Sequence, residues 1–331
     1  MNLQKRIDLF IALGKYLQQN SPDWQAAKLE ASQKNPWFTE AFIDMATLNI
    51  IRHYLQEDQL RQWVAHYHLD DHIDPKNTGV VMAGNIPLVG FHDFLTVCIS
   101  GHRQTIKLSA KDDVLLKHII RILNNFDAAF EQIVSVAETL KGCDAYIATG
   151  GNQSARYFEQ YFSKYPHIIR RNKTSVALLT GTETTSELEK LAGDIHFYFG
   201  LGCRNVTKIY VPTGYDFIPL LDSFRPFNYF RDHHKYANNY DYQLSIALLN
   251  NVFYMTNEST LLIENENLFS PISVLHYEYY SDIQKVTGKL TTNDDIQCIV
   301  GNGFIPFGQA QSPGLFSYAD GVDTMAFLLS I

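Results

Sequence analysis

The sequence predicts an α/β protein built around a mostly parallel sheet. Between residues 78 and 181, four short runs rich in Val, Ile and Leu (TGVVMAG, RQTIKLS, CDAYIATGG and KTSVALLTG) alternate with stretches of helical periodicity. Strands that alternate with helices form βαβ units and lie parallel. The runs are also continuously apolar rather than alternating, as expected of strands covered on both faces. In such sheets ligands bind outside the carboxyl ends of the strands, so the turns that follow these runs are the places to look for chemistry.

Taken in order, the first 75 residues read as mostly helical. Leu3, Ile7, Phe10, Leu13 and Leu17 recur at helical spacing with charges between them. No small-residue cleavage site follows, so this segment is expected to be a helix of a soluble cytoplasmic protein and not a signal peptide. Helical steps continue over 23–33 and 36–55, for example at Phe42, Met45 and Ile50. The cluster HYHLDDH (66–72) lies in a turn bounded by Pro and Asn and reads as a solvated connector rather than a metal site. The four apolar runs come next, with helices expected over 87–100, 112–126, 128–140 and 154–162. A helix over 182–200 leads to Cys203 and the strand Val206 to Val211. An aromatic tract, 225–243, precedes a helical stretch, and further strands are expected at STLLIEN, SVLHYEYY and 296–300.

Composition narrows the function. The 331 residues are 46% hydrophobic, enough for a large core, and no window reaches the length of a membrane span. The formal net charge of −8 argues against a nucleic-acid partner, which needs a basic stripe. Four scattered cysteines without a CxxC pair indicate neither a disulfide framework nor a zinc ribbon, and no metal is expected.

Four elements could carry chemistry. Asn85 sits in the turn AGNIPLVGFHDFL, where its amide either caps the next helix or donates to a developing oxyanion. Lys107 ends the second apolar run, where its ammonium either snorkels to water or meets a ribose or phosphate. Gly150 and Gly151 precede a helix whose free N–H groups would attract phosphate, although many βα turns contain glycine. Cys203 follows Gly-Leu-Gly. It is either a small buried residue or a nucleophile with room for a carbonyl beside its N–H.

The order of these elements, Asn, Lys, Gly-Gly and then Cys, resembles the aldehyde dehydrogenase superfamily. GNIPLVGFHDFL, KLSAKDD and GCRNVTKIYVP more narrowly resemble its acyl-CoA reductase (LuxC-like) family over roughly residues 78–331. ENLFSPISVLHYEYY looks like the superfamily's acidic-Phe-Gly-Pro segment, and IPFGQAQSPGLFSYADG like its C-terminal Pro-Phe-Gly return. The resemblance implies an aldehyde dehydrogenase-like fold. A Rossmann-type dinucleotide-binding domain would span 1–175 with 306–331 returning to it. A smaller α/β catalytic domain would span 176–305.

By the same resemblance, Cys203 is the nucleophile, and Asn85 and the Cys203 N–H are the oxyanion donors. Lys107 holds the adenosine ribose, Gly150 and Gly151 line the pyrophosphate turn, and Phe269 packs near the nicotinamide ribose. Leu178 takes the place of the general-base Glu of hydrolytic members, with Glu183 close by. Ala110 replaces a ribose-binding Glu, with Lys111 next to it. Losing a carboxylate and gaining an ammonium favours a 2′-phosphate, hence NADPH over NADH. Asn267 stands where a ribose carboxylate is expected, beside Glu266.

The implied activity is NADPH-dependent reduction of an acyl-CoA thioester to an aldehyde through a cysteine-bound acyl-enzyme, with a homodimer expected. Two alternatives stay open at this point. One is an aldehyde dehydrogenase running in the oxidative direction, either CoA-acylating or hydrolytic. The other is a weakly active nucleotide-binding subunit that works with an acyl-transferring partner.

Overall fold

The computed structural model describes residues 1–331 and divides into two compact units, residues 1–172 with 313–331, and residues 173–312. No helix is long and apolar enough to cross a membrane.

The first unit begins with four helices, α1 (Leu3–Gln19), α2 (Pro22–Lys34), α3 (Glu40–His53) and α4 (Glu57–His66). Asn2, Ser21 and Thr39 each accept a backbone N–H and start the first three of these helices. The strands and helices that follow are β1 (Asn77–Val81), α5 (Phe91–Ser100), β2 (Arg103–Lys107), α6 (Val114–Phe126), β3 (Val134–Val136), β4 (Ala145–Thr149), α7 (Asn152–Phe162) and β5 (His167–Arg170). The five strands form one all-parallel sheet in the order β3-β2-β1-β4-β5. This is the doubly wound arrangement, and its strand order reverses between β1 and β4.

The second unit carries β6 (Thr174–Leu178), α8 (Thr185–His196), β7 (Val206–Pro212), α9 (Ile218–Ser223), α10 (His234–Leu249), β8 (Met255–Thr256), β9 (Leu261–Glu264), β10 (Val274–Tyr280), α11 (Ile283–Thr291) and β11 (Ile296–Gly301). Its sheet runs β11-β6-β7-β10-β9-β8 and is parallel except at the β8–β9 edge. Successive residues of β6 serve opposite faces. Ala177 packs with α8, while Val176 and Leu178 pack with Tyr210 and α11.

The chain then returns to the first unit, ending in α12 (Thr324–Leu329). Met325 and Leu328 are buried in that unit's core. Polar bonds fix the return as well. Trp63 Nε1–H donates to Tyr318 Oη at 2.8 Å, and His102 Nε2–H donates to the Leu328 carbonyl at 2.8 Å. Arg170, at the end of β5, pairs with Asp93 of α5 through Nη1 and Nη2 of its guanidinium and reaches Thr324 Oγ1 at 2.9 Å.

Several sequence expectations are revised. The expected helix over 128–140 is a single 3₁₀ turn, Ala128–Gln132, capped by Asp127, and then β3. The β-branched Val134 and Val136 pair with β2 at the sheet edge rather than continuing a helix. The helix expected from residue 87 starts at Phe91, because Leu88 is left-handed (φ 56°) and holds the chain in a turn. The aromatic tract is itself ordered. It is a 3₁₀ segment, Arg225–Asp232, followed directly by α10. The connector 66–72 is mostly exposed, and Asp71 ties it to α1 by accepting the Leu3 N–H at 2.6 Å.

Candidate active site

In the first unit, three predicted elements lie at the carboxyl ends of adjacent central strands. The Asn85 turn follows β1, Lys107 ends β2, and Gly150-Gly151 follow β4; β2, β1 and β4 are adjacent strands. These carboxyl ends flank the point where the strand order reverses, the usual ligand crevice of such sheets. Asn85 is exposed and lies five residues before Gly90, the N-cap of α5, which has no side-chain cap. The helix-capping reading of Asn85 therefore does not hold. Lys107 and Lys111 are both exposed. The Lys111 carbonyl accepts from Asn35 Nδ2 at 3.2 Å, which ties this turn to the end of α2.

The two glycines differ in role. A Cβ on Gly150 would lie 2.9 Å from Ser154 Cβ and 3.0 Å from the Phe158 ring, so Gly150 is required for α7 to pack. A Cβ on Gly151 would meet nothing within 4 Å. Gly151 is the N-cap of α7, has no side chain to cap it, and begins a run of exposed residues through Ser154. The first N–H groups of this eleven-residue helix thus face open space, where an anion is favoured.

In the second unit, Cys203 occupies the loop between α8 and β7. Its backbone is unusual. Tyr198 (φ 55°), Phe199 (φ 56°) and Gly200 (φ 75°) are three successive left-handed residues. The two bulky ones cost about 1–3 kcal/mol each, and such strain persists only where the surroundings over-determine it.

Asn205 supplies most of that determination. Its side chain is fully buried, and Nδ2 donates to the carbonyls of Phe197 (2.8 Å), Asp194 (3.1 Å) and Ile195 (3.3 Å). Its Oδ1 accepts the Gly202 N–H at 2.8 Å. From β6, Ser175 Oγ donates to the Cys203 carbonyl at 3.0 Å. The peptides on both sides of the thiol are therefore held.

The aromatic tract buttresses the same loop. The Phe199 ring packs 4.5 Å from Phe230, 4.6 Å from His233 and 5.6 Å from Tyr236. His196 stacks on Phe227 at 4.6 Å. It donates from Nδ1 to the Ala192 carbonyl (2.7 Å) and accepts from Thr260 Oγ1 at Nε2 (2.9 Å). Burial pushes His196 down to about 4, so it is neutral at physiological pH. This packing buries the inner side of the tract at Phe230, Tyr236 and Tyr240, while Tyr229 and Tyr242 stay exposed.

Among the four cysteines, Cys203 is half-buried and the other three are buried. Burial pushes the thiols of Cys98, Cys143 and Cys298 up, against reactivity. Glu183 is engaged in its own turn. One carboxylate oxygen accepts Thr180 N–H (2.5 Å) and Thr180 Oγ1 (2.9 Å), and the other accepts Gly181 N–H (3.0 Å). Leu178 is buried in β6. Phe269 is 38% exposed at the end of a strap between β9 and β10. Thr207 Oγ1, four residues after Cys203, donates to the carbonyl of Leu268 beside it at 2.8 Å.

The model of the acyl-CoA reductase (LuxC) family matches residues 32–218, more than half of the chain. The chain belongs to the acyl-CoA reductase (LuxC) family. It is accordingly an oxidoreductase. The match begins within α2, so the helical N-terminus carries more family signal than its sequence suggests, and it ends before the aromatic tract.

Solved structures place this LuxC-family chain in the aldehyde dehydrogenase fold. It resembles aldehyde dehydrogenase 21 from Physcomitrella patens, in complex with succinate, with a TM-score of 0.66 and 11% identity over 91% of this chain and 74% of that one. It resembles an oxidoreductase from Marinobacter aquaeolei with a TM-score of 0.68 and 9% identity over 91% and 73%. It also resembles a Mycobacterium tuberculosis aldehyde dehydrogenase complexed with NAD+, with a TM-score of 0.65 and 12% identity over 91% and 73%. No curated protein sequence matches.

Two supporting residues of this LuxC-family chain escaped the sequence reading. Asn205 directly precedes a strand and gives no local sign of its four bonds. Asp194, buried in α8, accepts the N–H groups of Gly308 (2.6 Å) and Ala310 (3.0 Å), and so pins the Pro-Phe-Gly return. Arg204, next to Cys203, donates to the Ala310 carbonyl at 3.4 Å. Burial raises Asp194 to about 6.

Proposed function

We propose that the protein reduces the thioester of an acyl-CoA to an aldehyde with NADPH, through an acyl group carried on Cys203. The observation that carries this reading is the half-exposed Cys203 on a loop whose flanking peptides are held by Asn205 and Ser175, in a chain of the acyl-CoA reductase family.

The Cys203 thiolate attacks the thioester carbonyl and forms a new C–S bond. The negative charge that develops on oxygen is met by the Cys203 N–H, with Asn85 assigned as the second donor from its place in the first βα turn of the family. Each such donor contributes about 3 kcal/mol to the transition state. Collapse expels the CoA thiolate and leaves the acyl group on Cys203. NADPH, when bound, supplies the hydride. The resulting thiohemiacetal collapses with Cys203 as leaving group, which frees the aldehyde and restores the thiolate.

The residues present fit this cofactor. The uncapped α7 terminus behind Gly151 suits a pyrophosphate, Lys107 suits the adenosine ribose, and Lys111 beside Ala110 favours a 2′-phosphate. The engagement of Glu183 in its turn supports an acyl group that outlasts attack by water.

Purified protein mixed with acyl-CoA and NADPH should consume the nicotinamide and form aldehyde, faster than with NADH. A Cys203→Ala protein that does so at the wild-type rate removes the assignment. Oxidation of aldehyde without CoA would instead mark a hydrolytic dehydrogenase.

A further inference from the structure

The strap that ends at Phe269 is held at three successive carbonyls. Lys208 Nζ donates to Glu266 O at 2.8 Å, His276 Nδ1 donates to Asn267 O at 3.0 Å, and Thr207 Oγ1 donates to Leu268 O at 2.8 Å. Lys208 and His276 are opposite one another in the register of β7 and β10, so the strap lies across adjacent strands.

Lys208 is fully buried and makes an ion pair with Glu278 at 2.5 Å. Its Nζ also lies 4.9 Å from the centre of the Tyr210 ring. Burying a lysine is costly unless its donors are used. Here one serves the strap and another serves Glu278. With its carbonyls turned onto the strands, the strap helps form a polar cavity of about 510 Å³ lined by Glu264, Asn265, Glu266, Asn267, Tyr277 and Glu278.

We infer that Lys208 is a positioning residue for nicotinamide binding: with Thr207 and His276 it fixes the strap 265–269, and through the strap it sets the surface offered to the cofactor's ribose. This rests on the proposed nicotinamide-dependent reading, in which Asn267 and Phe269 belong to the ribose site. The role is separable from acylation of Cys203, which uses no nicotinamide.

The test compares wild type with Lys208→Met and Thr207→Val. The Thr207→Val side chain is nearly isosteric and removes one strap donor. Three readouts are needed: the Kd for NADPH from a fluorescence titration, the rate at which acyl-CoA acylates the protein without nicotinamide, and the melting temperature. The expected result is a Kd about tenfold weaker for Lys208→Met, the effect of losing a hydrogen bond to a charged group, with a smaller shift in Thr207→Val. Acylation rates should stay near wild type. NADPH affinity unchanged in both variants overturns the inference. So does loss of NADPH binding and acylation together with a lowered melting temperature, which makes Lys208 a support of the whole unit. Failure of wild type to acylate defeats the thioester reading alone, and the NADPH titration still decides the strap. Wild type that binds neither NADPH nor NADH defeats both.

Discussion

Asn205→Ala tests the claim that the Cys203 loop is held from below. The substitution removes four hydrogen bonds, two of them at 2.8 Å, and takes the Asn205 partner from the buried Gly202 N–H and the part-buried Phe197 carbonyl. Each buried polar group left without a partner costs about 1–3 kcal/mol, so these two alone cost about 2–6 kcal/mol. The left-handed Tyr198 and Phe199 can then relax and return about 1–3 kcal/mol each at most, at the expense of the loop's geometry. The net loss is therefore about 2–6 kcal/mol if the loop keeps its geometry, which lowers the melting temperature of this unit by roughly 4–24 °C, and close to zero if the loop relaxes fully. Thermal unfolding gives that number. The rate of iodoacetamide labelling of Cys203 and the rate of acylation by acyl-CoA report the loop, and acylation should fall at least about tenfold, the loss of one positioned donor or more. A protein that melts within about 2 °C of wild type and acylates at the wild-type rate would refute the reasoning.

Two further outcomes follow from buried charges. Arg170→Met leaves Asp93 uncompensated in a site where the two side chains are 5% and 10% exposed, and should cost about 3–5 kcal/mol in denaturant unfolding. Asp194 is raised from 3.8 to about 6 by burial, so the folded state holds its proton more tightly than the unfolded one and its contribution to stability falls as pH rises from about 4 to 6. Asp194→Asn has no charge to bury, so its stability relative to wild type should improve by about 3 kcal/mol over that window; a difference flat with pH would contradict this assignment.

The sheets were legible because buried parallel strands are written as uninterrupted Val, Ile and Leu runs, and TGVVMAG, CDAYIATGG and KTSVALLTG all became strands. β5 was missed because His167 and Arg170 bracket only two isoleucines, and the buried Arg170 is satisfied by Asp93 and Thr324, far away in sequence. The false helix over 128–140 came from apolar spacing in a segment that pairs at a sheet edge. Around Cys203 the glycines were visible and the strain was not. Nothing local marks Tyr198 and Phe199 as left-handed, because the bonds that hold them come from Asn205 and the aromatic tract. The tract's own sequence does not say which of its rings pack; Phe230, His233 and Tyr236 meet Phe199, while Tyr229 and Tyr242 stay exposed.

The most direct measurement is the intact mass of the protein after incubation with acyl-CoA in the absence of nicotinamide, with released CoA thiol counted alongside. Wild type should gain one acyl group per chain, mapped to Cys203, and release CoA in equal amount, while Cys203→Ala should show neither. Acylation of Cys203→Ala to the wild-type level, or an acyl group mapped to Cys98, Cys143 or Cys298, would contradict the account.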